Sequence, residues 1–272
     1  MSRLKPRWPV LRSGHPLARK LVAAYLFQDL DRARCRDLSL YSNTGTGVNT
    51  PSPQFGFQGA EVLFAKASDQ YYNVGNPTWL QITDHITIAT WFKLTSTPGN
   101  ISSYQLVTKD KDTGGRAYTM DAFRNDGAPS TESGIRIYVN GGLGAGNILT
   151  DGVSPVSGDD KFVVGQYTIN GPAMRLFVNG ALVGSSTPTA TTIPTATANV
   201  LLARREYVGF TEPLDGVLRF VYIWNRLLSA AEVYSLYLDP YQMFAPAKKR
   251  VVHAVAAAAA TANNLTLLGV GT

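Results

Sequence analysis

Apolar and polar residues alternate along short runs of this chain, and this alternation restricts the fold more than any other feature of the sequence. In GIRIYV at 134–139 two isoleucines and a valine occupy alternate positions, and in AMRLFV at 173–178 a methionine, a leucine and a valine do so. Successive side chains of a β-strand point to opposite faces, so the pattern is typical of antiparallel strands with one buried face. Asn179-Gly180, directly after the second run, favours a two-residue hairpin turn.

Similar apolar runs recur along most of the chain, separated by glycine turns. Further strands are predicted at 21–27, 61–65, 71–74, 86–94, 104–108, 117–123, 162–169, 181–185, 199–203 and 217–224. About a dozen strands without a helix between them favour an all-β fold, in which two antiparallel sheets form a jelly-roll sandwich.

One short helix is predicted at 229–238, directly after the last strand. Ser229 and Glu232 have the spacing of a capping box, in which each side chain accepts a hydrogen bond from the other residue's backbone. Leu228, before the cap, is placed to pack on Val233 as a hydrophobic staple. The helix is expected to end at Asp239, because the residue before a proline avoids the helical region.

Composition divides the chain into three zones: a basic extended arm at 1–20, the strand-rich domain at 21–240, and an alanine-rich tail at 241–272. The first 36 residues carry nine Lys and Arg against two Asp, and the tail adds three more basic residues. Basic ends of this kind indicate arms that contact acidic surfaces of protein, lipid or nucleic acid, and contact with neighbouring subunits is the favoured interpretation. The residues predicted to make these contacts are Arg3, Lys5, Arg7, Trp8, Arg12, Phe244, Lys248, Lys249, Arg250 and Leu265.

The sequence lacks the features that a disulfide, a metal site, a signal peptide or a membrane span would require. Cys35 is the only cysteine, which excludes an internal disulfide and favours assembly in a reducing cytoplasm. The histidines lie far apart in the sequence, and no metal or cofactor site is predicted. No signal-peptide cleavage site follows the basic N-terminus, and the alanine run at 254–260 is too short to span a bilayer. Membranes and nucleic acid are not predicted partners.

The order of motifs resembles that of the laminin-G-like, concanavalin A-like jelly-roll family from about residue 17 to 240. The matching stretches are LVAAYLF, DLSLYSNTG, ITIATWFK with Trp91, MRLFVNGALVGS and the closing LDGVLRFVYIWNRLLSAAEVYSLY. Two positions depart from the family pattern: Arg219 stands where an acidic residue is frequent, and Phe162 stands where a tryptophan is common. No calcium ligands are therefore assigned.

HPLARKLVAAYLF and LSAAEVYSLYLDPYQMF further resemble jelly-roll proteins encoded by tailed bacteriophages. This resemblance implies a virion structural protein, assembled in the host cytoplasm, with itself and other virion subunits as partners. A capsid decoration or head-associated role is favoured, with a host-surface glycan as a further candidate partner. A tail-associated or secreted glycan-binding module is the alternative, and a glycoside hydrolase is the third hypothesis.

Glycosidases of this fold resemble one another in an E-x-D-x-x-E strand, which no part of this sequence contains. The chain is therefore predicted not to be an enzyme. A glycan would stack on exposed aromatic rings, and the candidates are Tyr71, Tyr72 and Trp79. Strand alternation places only one of the two adjacent tyrosines on the outside.

Overall fold

The predicted all-β class is confirmed. The structure, a computed structural model, describes residues 4–6, 8–111, 115–126, 133–139, 147–171, 173–207 and 209–246. Within these ranges the chain forms eighteen strands, one α-helix and three short 3-10 helices. Every predicted strand is present, and so is the predicted helix. No helix in this part of the chain is long and apolar enough to cross a membrane.

The elements follow one another in this order: β1 Pro9–Leu11, β2 Leu21–Tyr25, β3 Arg34–Cys35, β4 Gly45–Val48, β5 Ser52–Gly56, β6 Gly59–Phe64, β7 Tyr71–Gly75, β8 His85–Leu94, β9 Ser102–Asp110, β10 Arg116–Arg124, β11 Gly134–Val139, β12 Ile148–Thr150, β13 Asp160–Thr168, β14 Ala173–Val178, β15 Ala181–Ser186, β16 Val200–Leu202, β17 Gly216–Trp224, α1 Ala230–Leu238 and β18 Phe244–Pro246. The 3-10 helices are Pro16–Ala18, Lys66–Ser68 and Thr78–Leu80.

Two eight-stranded antiparallel sheets form the sandwich. The first sheet has the order β12-β11-β10-β9-β16-β7-β4-β3, and the second has β15-β14-β13-β8-β17-β6-β5, with β2 beside β17. The hairpin between β14 and β15 turns at Asn179 and Gly180, which have φ angles of 51° and 82°. Positive φ at both central residues is what a tight turn between right-twisted strands requires.

The main core lies between the sheets. The alternate apolar residues of β11 and β14 point into it, as the sequence predicts. Gly165 of β13 lies close to the facing sheet: a Cβ there would come within 2.5 Å of Ile137 and 2.8 Å of Met120. A larger residue at this position would force the sheets apart.

A second core covers the outer face of the second sheet. Strand β17 is buried along its whole length, because Val221 and Ile223 face the main core while Phe220, Tyr222 and Trp224 face this outer core. Helix α1, the 3-10 turn at Pro16–Ala18 and the segment 241–244 supply the cover. The sandwich therefore has three layers where β17 runs.

The capping box of α1 is confirmed. The Ser229 hydroxyl accepts a hydrogen bond from the Glu232 backbone N–H at 3.2 Å, and the Glu232 carboxylate accepts one from the Ser229 N–H at 2.8 Å. Leu228 and Val233 are both buried in the outer core, as a staple requires.

The ends of the described chain differ from the expected free arm and tail. Strands β1 and β18 pair with each other, with Pro9 opposite Pro246 and Leu11 opposite Phe244. The Trp224 indole N–H donates to the Leu17 carbonyl at 2.7 Å. These segments join the domain because the apolar outer face of the second sheet must be covered. Residues 1–3, 7 and 247–272 lie outside the described residues.

The loop DLSLYSNTG is held against strand β2 by hydrogen bonds of Asp37 and Asn43. The buried carboxylate of Asp37 accepts backbone hydrogen bonds from Ala24, Ser39 and Asn43 at 2.7–2.8 Å. The Asn43 side chain in turn donates to the Val22 carbonyl at 2.9 Å. These bonds fix the loop against β2. Both oxygens of the Asp37 carboxylate accept hydrogen bonds within it.

Candidate functional site

A line of polar side chains crosses the outward face of the first sheet. We call Arg136, Asp121, Gln105 and Glu212 the polar row. Asp121 of β10 is the register partner of both Arg136 on β11 and Gln105 on β9, so the three side chains share a face. The neighbouring residues on each strand point into the main core, which forces these polar side chains outward.

Hydrogen bonds connect the row from end to end. The guanidinium of Arg136 binds the Asp121 carboxylate through Nε at 2.9 Å and Nη2 at 2.5 Å. The Gln105 amide donates to Glu212 at 3.0 Å, and Arg205 binds the same carboxylate at 3.0 Å. Each acid of the row is thus paired with an arginine, which holds both carboxylates in fixed positions.

Arg136, Asp121 and Gln105 are buried and Glu212 is half-buried, although their sheet face is the outward one. Glu212 belongs to the segment after β16, whose backbone bonds to β9 through the Gln105 N–H at 3.1 Å. Burial alone lowers the pKa of Arg136, but the adjacent Asp121 carboxylate outweighs this effect and raises the pKa above its ordinary value. Within the described part of the chain, Arg136 Nη1 and Gln105 Oε1 have no hydrogen-bond partner.

A strip of aromatic rings and guanidinium groups borders the row on the same face. We call Tyr71, Arg116, Arg204, Tyr207 and Phe210 the rim. The Tyr207 ring lies between two guanidinium groups, with Arg116 at 4.8 Å and Arg205 at 4.7 Å from the ring centre. Arg204 lies 4.7 Å from the centre of the Tyr71 ring. Phe210 is 63% exposed and lies beside Tyr207. The rim is the accessible part of this face.

The three aromatic residues predicted to bind glycan lie in three different environments. Tyr71 faces outward and belongs to the rim. Tyr72 is 1% exposed, its ring packs against Phe27 and Phe64, and it cannot stack on a ligand, which corrects that assignment. Alternation along β7 gives one tyrosine to each face. Trp79 is exposed on a separate 3-10 helix and packs against Tyr41 at 4.7 Å.

Some of the residues predicted to contact neighbouring subunits are exposed, and others are buried. Trp8 and Arg12 are exposed, whereas Phe244 is buried in the outer core. Lys5 is buried within the chain itself, where its ammonium group donates to the carbonyls of Leu26, Ala60 and Arg219. It is therefore not displayed on an exposed arm. The remaining predicted contacts, all outside the described residues, are Arg3, Arg7, Lys248, Lys249, Arg250 and Leu265.

Arg219, which departs from the family pattern, pairs with acids on neighbouring strands. Its guanidinium binds Glu61 of β6 at 3.2 Å and Asp160 of β13 at 2.7 Å. The positive charge on β17 is thus balanced within the sheet. No group of three or more potential metal ligands occurs among the described residues.

Sequence reasoning missed most of the polar row and the rim. The outward position of Arg136 can be read from the alternation of its strand, and the same reading of β9 and β10 would have given Gln105 and Asp121. Their juxtaposition with Glu212 depends on pairing between distant strands. No local pattern records that pairing.

Comparisons with known proteins agree on the fold. The family model described as the concanavalin A-like lectin/glucanases superfamily matches residues 66–234, more than half of the chain. A comparison with curated protein sequences finds no match.

Many solved structures are similar, at low sequence identity. Domain 4 of AbnA, an extracellular arabinanase from Geobacillus stearothermophilus in complex with arabinotriose, aligns with a TM-score of 0.59 and 15% identity, over 80% of this chain and 98% of that one. The binding domain of botulinum neurotoxin DC in complex with SialylT gives 0.60 and 11%, over 81% and 52%. Trypanosoma rangeli sialidase gives 0.57 and 11%, over 83% and 33%. The chain thus spans about half of the toxin domain and a third of the sialidase. At such identities the likeness concerns the fold alone.

Proposed function

Because the chain belongs to the concanavalin A-like lectin/glucanases superfamily, we propose that it binds glycans, and that the outward face of its first sheet is the binding face. The observation that carries the proposal is the rim, where half-exposed aromatic rings and guanidinium groups border a buried polar row. Two of the similar structures are named as complexes with arabinotriose and with SialylT, which supports a saccharide as the ligand class.

The rim has the composition that a saccharide needs. A sugar ring offers an apolar face, which packs on an aromatic ring, and hydroxyl groups that both donate and accept hydrogen bonds. Phe210 and Tyr71 supply the rings, and Arg116 and Arg204 supply donors. Arg116 lies on β10, which also carries Asp121 of the polar row, and Tyr71 lies on β7 of the same sheet.

We propose binding without hydrolysis. A glycosidase needs one carboxylic acid that donates a proton and one free carboxylate. In the polar row, the Asp121 carboxylate is paired with Arg136 and the Glu212 carboxylate with Arg205. Neither acid of the row stands free to face a bound glycosidic bond. Incubation with a polysaccharide panel should release no reducing sugar, and turnover that a Glu212→Gln change abolishes would overturn this proposal.

The binding proposal is tested with a glycan array probed by the labelled full chain, followed by calorimetry on the oligosaccharides it captures. Phe210→Ala and Tyr71→Ala should each raise the Kd about tenfold, because each removes a stacking ring. Trp79→Ala is the matched control, since it removes an equally exposed aromatic residue outside the rim. Absence of any captured glycan, or loss with the Trp79 variant alone, would contradict the proposal.

We further propose that this domain serves in a bacteriophage virion, most simply as a capsid decoration or head-associated protein, with a tail-associated position as the alternative. The sequence resemblance to phage jelly-roll proteins and the basic residues of the first 36 positions support this role. Its partners would be other virion subunits and further copies of itself, after assembly in the host cytoplasm. Mass spectrometry of purified particles should detect the protein in stoichiometric amounts. Its recovery only from the culture medium, free of particles, would count against the role.

A further inference from the structure

The side chain of Trp8 separates two adjoining grooves, which together we call the Trp8 cleft. One groove, of about 400 Å³, lies between Trp8 and Leu38, and the other, of about 430 Å³, lies between Trp8 and Phe55. Gln28 and Asp29 line both. The cleft is formed by the N-terminal segment, the chain after β2 and the β5–β6 hairpin. It is built from other elements than the polar row and the rim.

The walls of the cleft are held in a conformation that the chain would not adopt freely. Trp8, Phe27 and Leu30 have φ angles of 55°, 55° and 49°. Bulky residues with such positive φ are strained and persist where the surrounding structure fixes them. Lys5 supplies one such constraint, because its ammonium group bonds to the Leu26 carbonyl at 3.0 Å. The cleft is therefore present before any ligand arrives.

The cleft is mainly apolar and largely exposed. Trp8 is 65% exposed and Phe55 is 77% exposed, and Phe57 at the tip of the same hairpin is 81% exposed. Exposed Trp and Phe gathered around a groove are typical of protein-binding sites, where such residues contribute most of the affinity. A sugar would use one ring and many polar groups, whereas here apolar walls predominate.

The polar groups of the cleft fit a peptide backbone. The side-chain N–H₂ group of Gln28 is buried and has no hydrogen-bond partner among the described residues. A backbone carbonyl of a bound extended chain would accept from it. Arg36 lines one groove and is exposed, and Asp29, which lines both grooves, is exposed as well. A carboxylate of a bound segment is therefore favoured beside Arg36 and not along the whole cleft.

We propose that the Trp8 cleft is a docking groove for an extended peptide segment of another protein, whose large apolar side chains enter the grooves on either side of Trp8 and which carries a carboxylate at the Arg36 edge. The Gln28 amide donates to the segment's backbone, and Arg36 pairs with one of its carboxylates. This site is independent of the glycan-binding face.

The test is fluorescence anisotropy of the full chain with a fluorescein-labelled peptide in which Asp or Glu alternates with Leu or Phe. The native chain should bind it, and Trp8→Ala should raise the Kd about thirtyfold, because it removes the central anchor. Arg36→Glu should weaken binding and reduce its dependence on salt. Phe210→Ala, which removes an exposed ring of the rim, is the control and should bind the peptide as the native chain does.

Three outcomes would overturn the proposal. The peptide fails to bind the native chain, it binds the Trp8→Ala variant equally well, or a peptide with Lys in place of each acid binds as tightly. Loss of glycan capture in the Trp8→Ala variant, with capture retained in Phe210→Ala, would make the cleft a saccharide site instead. Trp8 is largely exposed, so a thermal melt should show that its variant folds normally.

Discussion

Lys5 shows how a single residue can attach the start of the chain to the sandwich. Its ammonium group donates to carbonyls contributed by three distant parts of the sequence, those of Leu26, Ala60 and Arg219. Burial lowers the pKa of Lys5 to about 7, the nearby Glu61 opposes this shift, and the charge of Arg219 adds to it. A protonated Lys5 therefore costs free energy in the folded state that it does not cost in the unfolded chain.

This shift predicts a pH dependence of stability. Between about pH 7 and the ordinary lysine pKa, the unfolded chain binds a proton at this position that the folded chain lacks, so the free energy of unfolding rises with pH. The slope from Lys5 should reach up to about 1.4 kcal/mol per pH unit and vanish below pH 7. Urea denaturation of the native chain and of Lys5→Met from pH 6 to 10 measures the difference. The exposed Lys93→Met control should keep the native slope, and equal slopes for all three chains would refute the prediction.

Lys5 also marks where sequence reasoning stops at the residue scale. A lysine within a basic, proline-containing stretch reads as a solvated charge of an arm, and nothing nearby in the sequence shows its carbonyl partners. The outward Arg136 could be read from its strand, because alternation is local. Its bond to Asp121 could not, because it depends on the register of two strands.

Local signals decide how well individual elements are predicted. Helix α1 is recovered because its capping box, staple and terminating Asp239-Pro240 are all encoded within the thirteen residues from Leu228 to Pro240. The twelve predicted strands are recovered for the same reason. The strands that were missed, β1, β3, β4, β5, β12 and β18, are short or contain glycine and proline. These segments become strands only because a neighbouring strand offers hydrogen bonds.

The cap of α1 gives a prediction at this scale. Ser229→Ala should lower the free energy of unfolding by about 1 kcal/mol, because the Glu232 N–H loses its acceptor at the helix start. Chemical denaturation measures the change. Ser185→Ala is the control, since Ser185 is an exposed serine on the edge strand β15, and its substitution should have little effect. A Ser229 variant as stable as the native chain would show that packing alone holds the helix.

Two hydrophobic cores stabilise the described part of the protein. The main core could be predicted from the alternation, but the outer core could not, since its cover comes from segments at both ends that read as an arm and a tail. Leu17 from one end and Tyr241, Met243 and Phe244 from the other are all buried there. The domain therefore extends beyond the predicted limits of 21 and 240.

A truncation tests this extension. A chain of residues 21–240 exposes the outer core on the second sheet, so its melting temperature should fall by about 10 °C or more and it should bind a hydrophobic dye. A chain of residues 4–246 keeps these contacts and should melt with the full chain. Scanning calorimetry of the three chains measures their melting temperatures. If the shorter chain melts with the other two, the outer core contributes little.

The pairing of β1 with β18 places the two ends of the described chain side by side, with Pro9 opposite Pro246. Adjacent strands lie about 5 Å apart, so the described chain ends at a strand that lies beside β1, a few residues from its start. A domain whose ends lie close together can be inserted into a surface turn of an unrelated protein without separating the strands on either side of that turn. Recombination between genes can move the whole domain in one step, and the same property makes it a convenient insert for protein engineering.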